Sequence, residues 1–386
     1  MKISKATREQ LKRHNRLLLL RAVYAGLADN RAALANETGL AKPTVSDLIA
    51  EMIEEGFLVE SGRGESTDSG GKRPTLLQFV PDARQVIGVS LDNGRISGVL
   101  SNLAGQIIAR HYADLQGTLG PAILDILNEV INGLRAQLDA PLLCIGIGVP
   151  GVVDTDTGQV HHSTELEWHS LPLGQSLEET QRVPVYIGNS AELTALGQFA
   201  FGLNQDERIR NLVTIMVNDS IEIGVTLERV AYHHGVDISP LRLHLSDDIP
   251  GRLYSRLGWA AIVRRVTELR RTYPDSLIPA EGLTYLHIRY GAANHDPAAL
   301  QLFDELSTIL GQIFGWVIGI LRPDHLTLAG PAAELGEDFL NIVTEKATAM
   351  LTPDLTEPVT FSLASSKHLS AIGAAALALQ KELDIL

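Results

Sequence analysis

Cysteine is almost missing from this chain: Cys144 is the only one in 386 residues, so no disulfide can form within it. It lies in the apolar run 141–149, where a small core residue is expected rather than a reactive thiol. Long apolar runs are missing too. The longest, 309–321, is interrupted by Gln312 and falls short of the roughly 20 residues that span a bilayer. Residues 1–20 are basic and polar before a four-leucine run too short for the core of a secretory signal. These absences lead us to expect a cytoplasmic protein with no membrane partner.

A hydrophobic content of 45% with 20% charged residues is ordinary for a globular protein, and the length calls for two or three domains. The net charge of −14 argues against nucleic acid until it is divided. Residues 1–75 hold 12 lysines and arginines against 10 aspartates and glutamates, while the remainder holds 20 against 36. A slightly basic head on an acidic body confines phosphate attraction to the head.

The head contains RAALANETGLAKPTVSDLIAEMIEE, residues 31–55. Ala35, Gly39 and Val45 have the spacing of a helix-turn-helix: a small residue at the helix crossing, glycine in the left-handed turn and a branched anchor in the second helix. That second helix is expected to start near Lys42 with Pro43 at its first position. Ala41, Val45, Leu48, Ile49, Met52 and Ile53 would form its buried stripe. Lys42, Thr44, Ser46 and Asp47 would then face outward at the end of a recognition helix that meets base edges. An ordinary two-helix corner is the competing reading. Ahead of it, residues 7–28 read as a long helix, with Arg13 and Arg16 open to phosphate or simply solvated, and Asp29 or Asn30 can cap the next helix.

Residues 57–60 and 75–79 read as strands around the turn-rich SGRGESTDSGGKRP. Helices followed by a hairpin make a winged helix-turn-helix, whose wing would present Arg63, Lys72 and Arg73 to phosphate or the minor groove. A flexible linker is the alternative for that loop.

From residue 85 the pattern becomes α/β. Strands are expected at 86–91, 95–100 and 107–111, a helix at 121–138, strands at 142–149 and 183–187, and a helix at 190–201. The strand-turn-strand at 211–217 and 221–227 echoes 86–100, which suggests two lobes with a repeated opening hairpin.

Several ordered segments resemble the ROK family of bacterial repressors and sugar kinases. They are TGLAKPTVSDLIAEMIEEGFLVE with the GKRP wing, VIGVSLDNGRISGVLSNLAGQII, IGIGVPGVVDTDTGQV, EWHSLPL, VPVYIGNSAELTALGQFAFG, ILRPDHLTLAGPA and SAIGAAALAL. The resemblance implies a winged helix-turn-helix head at 1–80 on a two-lobed actin/hexokinase-like α/β body. The first lobe would take 81–205 and the second 206–386, with a return of the C-terminal helix to the first lobe left open.

The resemblance also says what is changed. The family's catalytic aspartate follows an asparagine, and here Ser190 follows Asn189; a hydroxyl cannot serve as the base. Glu192 would point about 200° away on a helix. The phosphate hairpins have lost glycines, leaving Asp92, Asn93 and Glu222, of which Asp92 and Glu222 are expected to face nucleotide phosphates. The family's zinc cysteines are missing from 246–259, and His233, His234 and His244 lack a matching ligand set. No catalytic residue, metal or cofactor is therefore expected.

For an effector, Asn189, Ser190, Arg242 and His244 are the candidate contacts, the alignment of 239–245 being open by one residue. The expected function is a sequence-specific transcriptional regulator, a repressor of carbohydrate-related genes, bound to an operator as a homodimer or homotetramer and responsive to a sugar or sugar phosphate. A sugar kinase with a regulatory head and a ligand-independent DNA-tethered scaffold are the alternatives.

Overall fold

A computed structural model describes residues 7–64, 73–92, 94–200, 208–232, 236–243, 251–356, 359–364 and 368–385. The first helix, α1 (Arg8–Tyr24), starts at Thr7, whose side chain and Gln10 form a reciprocal capping box. It ends four residues earlier than its apolar pattern suggests, because Gly26 takes a positive φ. Helix α2 (Arg31–Thr38) is capped by Asn30, which accepts from the N–H groups of Ala32 and Ala33. It stops at Gly39 with φ 69°, the left-handed turn that only glycine adopts without strain. Helix α3 (Lys42–Glu54) follows.

Pro43 sits one position further into α3 than expected, and Ala41 is the exposed N-cap rather than part of the stripe. Val45, Leu48, Ile49 and Met52 are buried and Ile53 only half so, because Ile53 lies at the margin of the face packed on α2 and α1. Strands β1 (Leu58–Arg63) and β2 (Thr75–Phe79) pair antiparallel with a bulge between Glu60 and Gly62. The hairpin is tied to the helices by a bridge between Asn30 and Leu76 and by the Leu77 N–H donating to Asp29.

The first lobe runs through β3 (Gln85–Asp92), β4 (Arg95–Asn102), β5 (Ile107–Asp114), α4 (Ile123–Arg135), β6 (Leu142–Val149), β7 (Val152–Asp154), β8 (Gln159–Ser163), β9 (Trp168–Leu171), α5 (Leu173–Gln181), β10 (Val185–Asn189) and α6 (Ser190–Gln198). Its main sheet has the order β10-β6-β3-β4-β5, with β6 parallel to β3 and β10. Strands β7, β8 and β9 form a separate small antiparallel sheet.

The second lobe contains β11 (Leu212–Val217), β12 (Ile221–Leu227), β13 (Val230–Ala231), β14 (Val236–Asp237), β15 (Arg242–Leu243), β16 (Gly251–Arg252), α7 (Tyr254–Leu257), α8 (Trp259–Thr272), α9 (Tyr285–Ala293), α10 (Pro297–Leu321), β17 (His325–Ala329), α11 (Glu337–Thr348), α12 (Pro353–Thr356), β18 (Thr360–Leu363) and α13 (Leu369–Leu383). Its sheet follows β13-β12-β11-β17-β18. Helix α10 is long and apolar enough to cross a membrane by composition, but Leu302, Leu306, Leu310, Phe314 and Ile318 are buried in the second lobe's core.

Helix α13 crosses back onto β3 and β6 of the first lobe and onto α6. The contact with α6 is backbone on backbone: a Cβ at Gly373 would lie 1.6 Å from the Leu193 carbonyl oxygen. Further along, Ala378, Leu379, Leu383 and Ile385 join Leu19, Leu20, Val86 and Cys144 in one buried cluster, so head and body share a core. Burial pushes the Cys144 thiol pKa up, which keeps it protonated and inert.

Candidate nucleic-acid interface and ligand cleft

The outer face of the head is built by α3 and the hairpin. Lys42, Ser46 and Asp47 are exposed and Thr44 is half-buried, all in the first turns of α3. Helix N-termini carry partial positive charge and free N–H groups, so this end suits a phosphate-lined groove. Arg63 closes β1 and Arg73 precedes β2, both exposed and neither in an ion pair with a described residue. Lys72 lies outside the described residues.

Three other cations of the head are paired within it. Arg16 forms a two-pronged ion pair with Glu55, and Lys12 donates to Glu51 at 2.7 Å. Arg31 meets Glu60 at 3.0 Å. The hydrogen bond to Glu55 holds the Arg16 guanidinium charged and lowers the Glu55 pKa. Arg16 and Arg84 lie over the Phe57 ring at 5.4 and 4.9 Å. Arg16 is thus not available to phosphate as the sequence allowed, because Glu55, the C-cap of α3, claims it. Arg13 stays exposed, 3.9 Å from Glu382 at the end of α13.

Between the lobes the decisive group is Glu222 on β12. It is fully buried, not turned to nucleotide phosphates as expected. Its Oε1 accepts from the Gly151 N–H at 2.6 Å and its Oε2 from Asn189 Nδ2 at 3.1 Å. Burial raises its pKa to about 8, against the hydrogen bond from Gly151 and with help from the nearby charges of Glu165 and Asp237. Gly224, the one glycine kept in this hairpin, lets β12 cross the start of α6: a Cβ there would sit 2.1 Å from the Ala191 oxygen. The side chain of Asp92 lies outside what is described.

Asn189 is saturated. Nδ2 also donates to the Gly151 carbonyl at 2.9 Å, and Oδ1 accepts from the N–H groups of Ala191 and Glu192 as the N-cap of α6. Both donors and both lone pairs are used, so in this conformation no part of Asn189 is left for a ligand. Ser190 is fully buried with its Oγ unpartnered among the described residues. Arg242 is exposed at the edge strand β15, while His244, His233 and His234 lie outside the described residues. The structure therefore brings Asn189 and Ser190 together and leaves Arg242 unplaced against them. Sequence reasoning missed Glu222 as a partner of Asn189; a lone glutamate in a hairpin otherwise made of apolar strand residues was the only signal.

Residues 86–237 match the family model described as "ROK family". The chain carries a ROK family domain. The chain is 27% identical over 352 residues to a xylose repressor of Caldicellulosiruptor bescii, covering 87% of each chain. It is 26% identical to the DNA-binding transcriptional dual regulator NagC of Escherichia coli, over 90% of this chain and 88% of that one. Among solved structures, a ROK family transcriptional regulator homologous to the E. coli MLC protein superposes with a TM-score of 0.80 at 21% identity, covering 97% of both chains. A ROK family glucokinase from Streptomyces griseus, in complex with glucose and AMPPNP, gives 0.68 at 19% identity over 77% of this chain and 99% of that one. The fold of the body is thus shared with the glucokinase, and the superposition on the regulator covers nearly the whole chain.

Proposed function

We propose that this protein is a sugar-responsive, sequence-specific DNA-binding transcriptional repressor acting in the cytoplasm. The observation that carries it is a helix-turn-helix with its polar recognition face exposed, fused to a ROK body whose proton-acceptor position is the buried Ser190. A xylose repressor at 27% identity and a DNA-binding transcriptional dual regulator at 26%, each over most of the chain, support it. In this reading residues 1–80 are the DNA-binding head, and 81–205 and 206–386 the lobes. Lys42, Thr44, Ser46 and Asp47 read bases, and Arg63, Lys72 and Arg73 hold phosphates. A dimer or tetramer supplies the second half-site.

The effector is a sugar or sugar phosphate that enters between the lobes, near Asn189, Ser190, Arg242 and His244. To reach Asn189 it must displace Glu222. Helix α6 begins at Asn189 and packs without a side-chain layer on α13, whose far end meets the head. There Tyr186 donates to Glu382 at 2.5 Å, and Arg21 lies 3.7 Å from Asp384. Opening the cleft therefore has a rigid route to α1.

The test is a gel shift with DNA from upstream of the protein's own gene and neighbouring sugar-uptake genes, repeated with a panel of sugars and sugar phosphates. Salt-dependent, sequence-selective binding that one sugar changes supports the reading; failure to select any fragment from genomic DNA overturns it. The kinase reading is favoured only by the shared body fold, and ATP turnover with hexoses would establish it.

A further inference from the structure

We propose that His162 and His169 form a two-nitrogen site for a first-row transition-metal ion of the copper or nickel type, at the lip of the cleft. The two residues are directly opposed in the antiparallel register of β8 and β9, and both are exposed. Their Nδ1 atoms face each other at 3.0 Å, with ring centroids 4.7 Å apart and planes inclined by 41°. His162 Nε2 lies 2.9 Å from Thr164 Oγ1. Donation there puts the His162 proton on Nε2 and leaves a lone pair on Nδ1, the arrangement that an outer hydrogen bond imposes on a ligating imidazole.

Donor type narrows the ion. Imidazole nitrogen suits Cu, Ni and Zn, and among divalent first-row ions Cu(II) binds such donors most tightly. With His162 in that tautomer, His169 Nδ1–H is the donor to His162 Nδ1 in the metal-free pair. On binding, that proton moves to His169 Nε2, both Nδ1 lone pairs turn to the ion, and no net proton is lost. Among the described residues no group of three or more potential ligands exists, so solvent completes the sphere.

The position gives the site a consequence. The His162 carbonyl packs on Gly151, where a Cβ would be 2.3 Å away, and Gly151 donates to Glu222. The loop that β8 and β9 enclose carries Glu165, whose charge acts on Glu222. An ion joining the two strands stiffens this lip of the cleft.

The experiment uses the full chain stripped with chelator, titrated calorimetrically with Cu(II) and Ni(II), with electron paramagnetic resonance of the Cu(II) form. One ion per chain and an axial spectrum with coupling to two nitrogens are expected. His162→Ala and His169→Ala should each weaken binding on the order of a hundredfold, since a chelate is reduced to a single ligand. His161→Ala, on the opposite face of β8, should leave it unchanged. Thermal midpoints of the metal-free variants separate lost ligation from lost folding. An ion whose affinity and spectrum survive both His162 and His169 substitutions, or the lack of any stoichiometric ion, overturns the proposal.

Discussion

Asn189 donates to the carboxyl group of Glu222 across the interlobe boundary, and the same group accepts from the backbone N–H of Gly151. One buried acid from the second lobe thus holds two groups of the first. Its raised pKa, about 8, fixes a pH dependence. The folded state keeps this proton while the unfolded chain, with a carboxylate near pH 4.5, has released it. The contribution to stability is fully present below about pH 4.5 and is lost as pH rises through about 8. Thermal midpoints of the protein should show this fall between pH 5 and 8. Glu222→Gln should lack it, although it costs about 1–3 kcal/mol at every pH by facing an amide N–H toward a donor. Identical pH profiles would contradict the assignment.

The α6–α13 contact should not tolerate a side chain. Gly373→Ala places a Cβ 1.6 Å from the Leu193 oxygen, so the helices must separate. A loss of about 3 kcal/mol is expected, read as a lower urea midpoint. Because α13 shares its far end with the head's core, operator affinity should fall with it.

Arg16 and Arg73 should behave differently although both are arginines of the head. Arg73→Ala is expected to weaken binding to every DNA sequence and to lower the salt slope by about 1. Arg16→Ala should leave the salt slope unchanged and cost about 1 kcal/mol of stability, through the lost Glu55 pair and Phe57 contact. Salt-dependent affinity measurements beside thermal melts distinguish the two.

Base preference should change with the start of α3. Lys42→Ala, Thr44→Ala or Ser46→Ala is expected to relax selection at one operator position by about 1–3 kcal/mol. Asp47→Ala tells whether that carboxylate accepts from a cytosine amino group or only repels phosphate: the first loses selectivity, the second gains general affinity. Selection from a randomised operator library reads both.

Restoring the acid alone should not restore a kinase. Ser190→Asp buries a carboxylate at a fully buried position and should cost about 3 kcal/mol. ATP turnover should stay far below the roughly 1–100 per second of working kinases, because Glu222 from the second hairpin fills the space beside Asn189. Turnover in that range would reopen the enzyme reading.

The sequence by itself determined whatever depends on local geometry. Gly39 had to be the left-handed stop of α2, Val45 to Met52 had to form α3's buried face, and Asn30 could cap α2, because these rest on helical period and single-residue dihedrals. The strands around Val86, Leu142 and Leu212 were legible for the same reason. Tertiary structure alone decided which charges are free. Arg16 and Arg73 look alike in a sequence, but only folding brings Glu55 to Arg16. The family resemblance turned Glu222 toward nucleotide phosphates, and 71 residues separate it from Gly151, the group that holds it. Burial, hydrogen bonding and charge state are set by neighbours distant along the chain, and residue spacing carries no information about them.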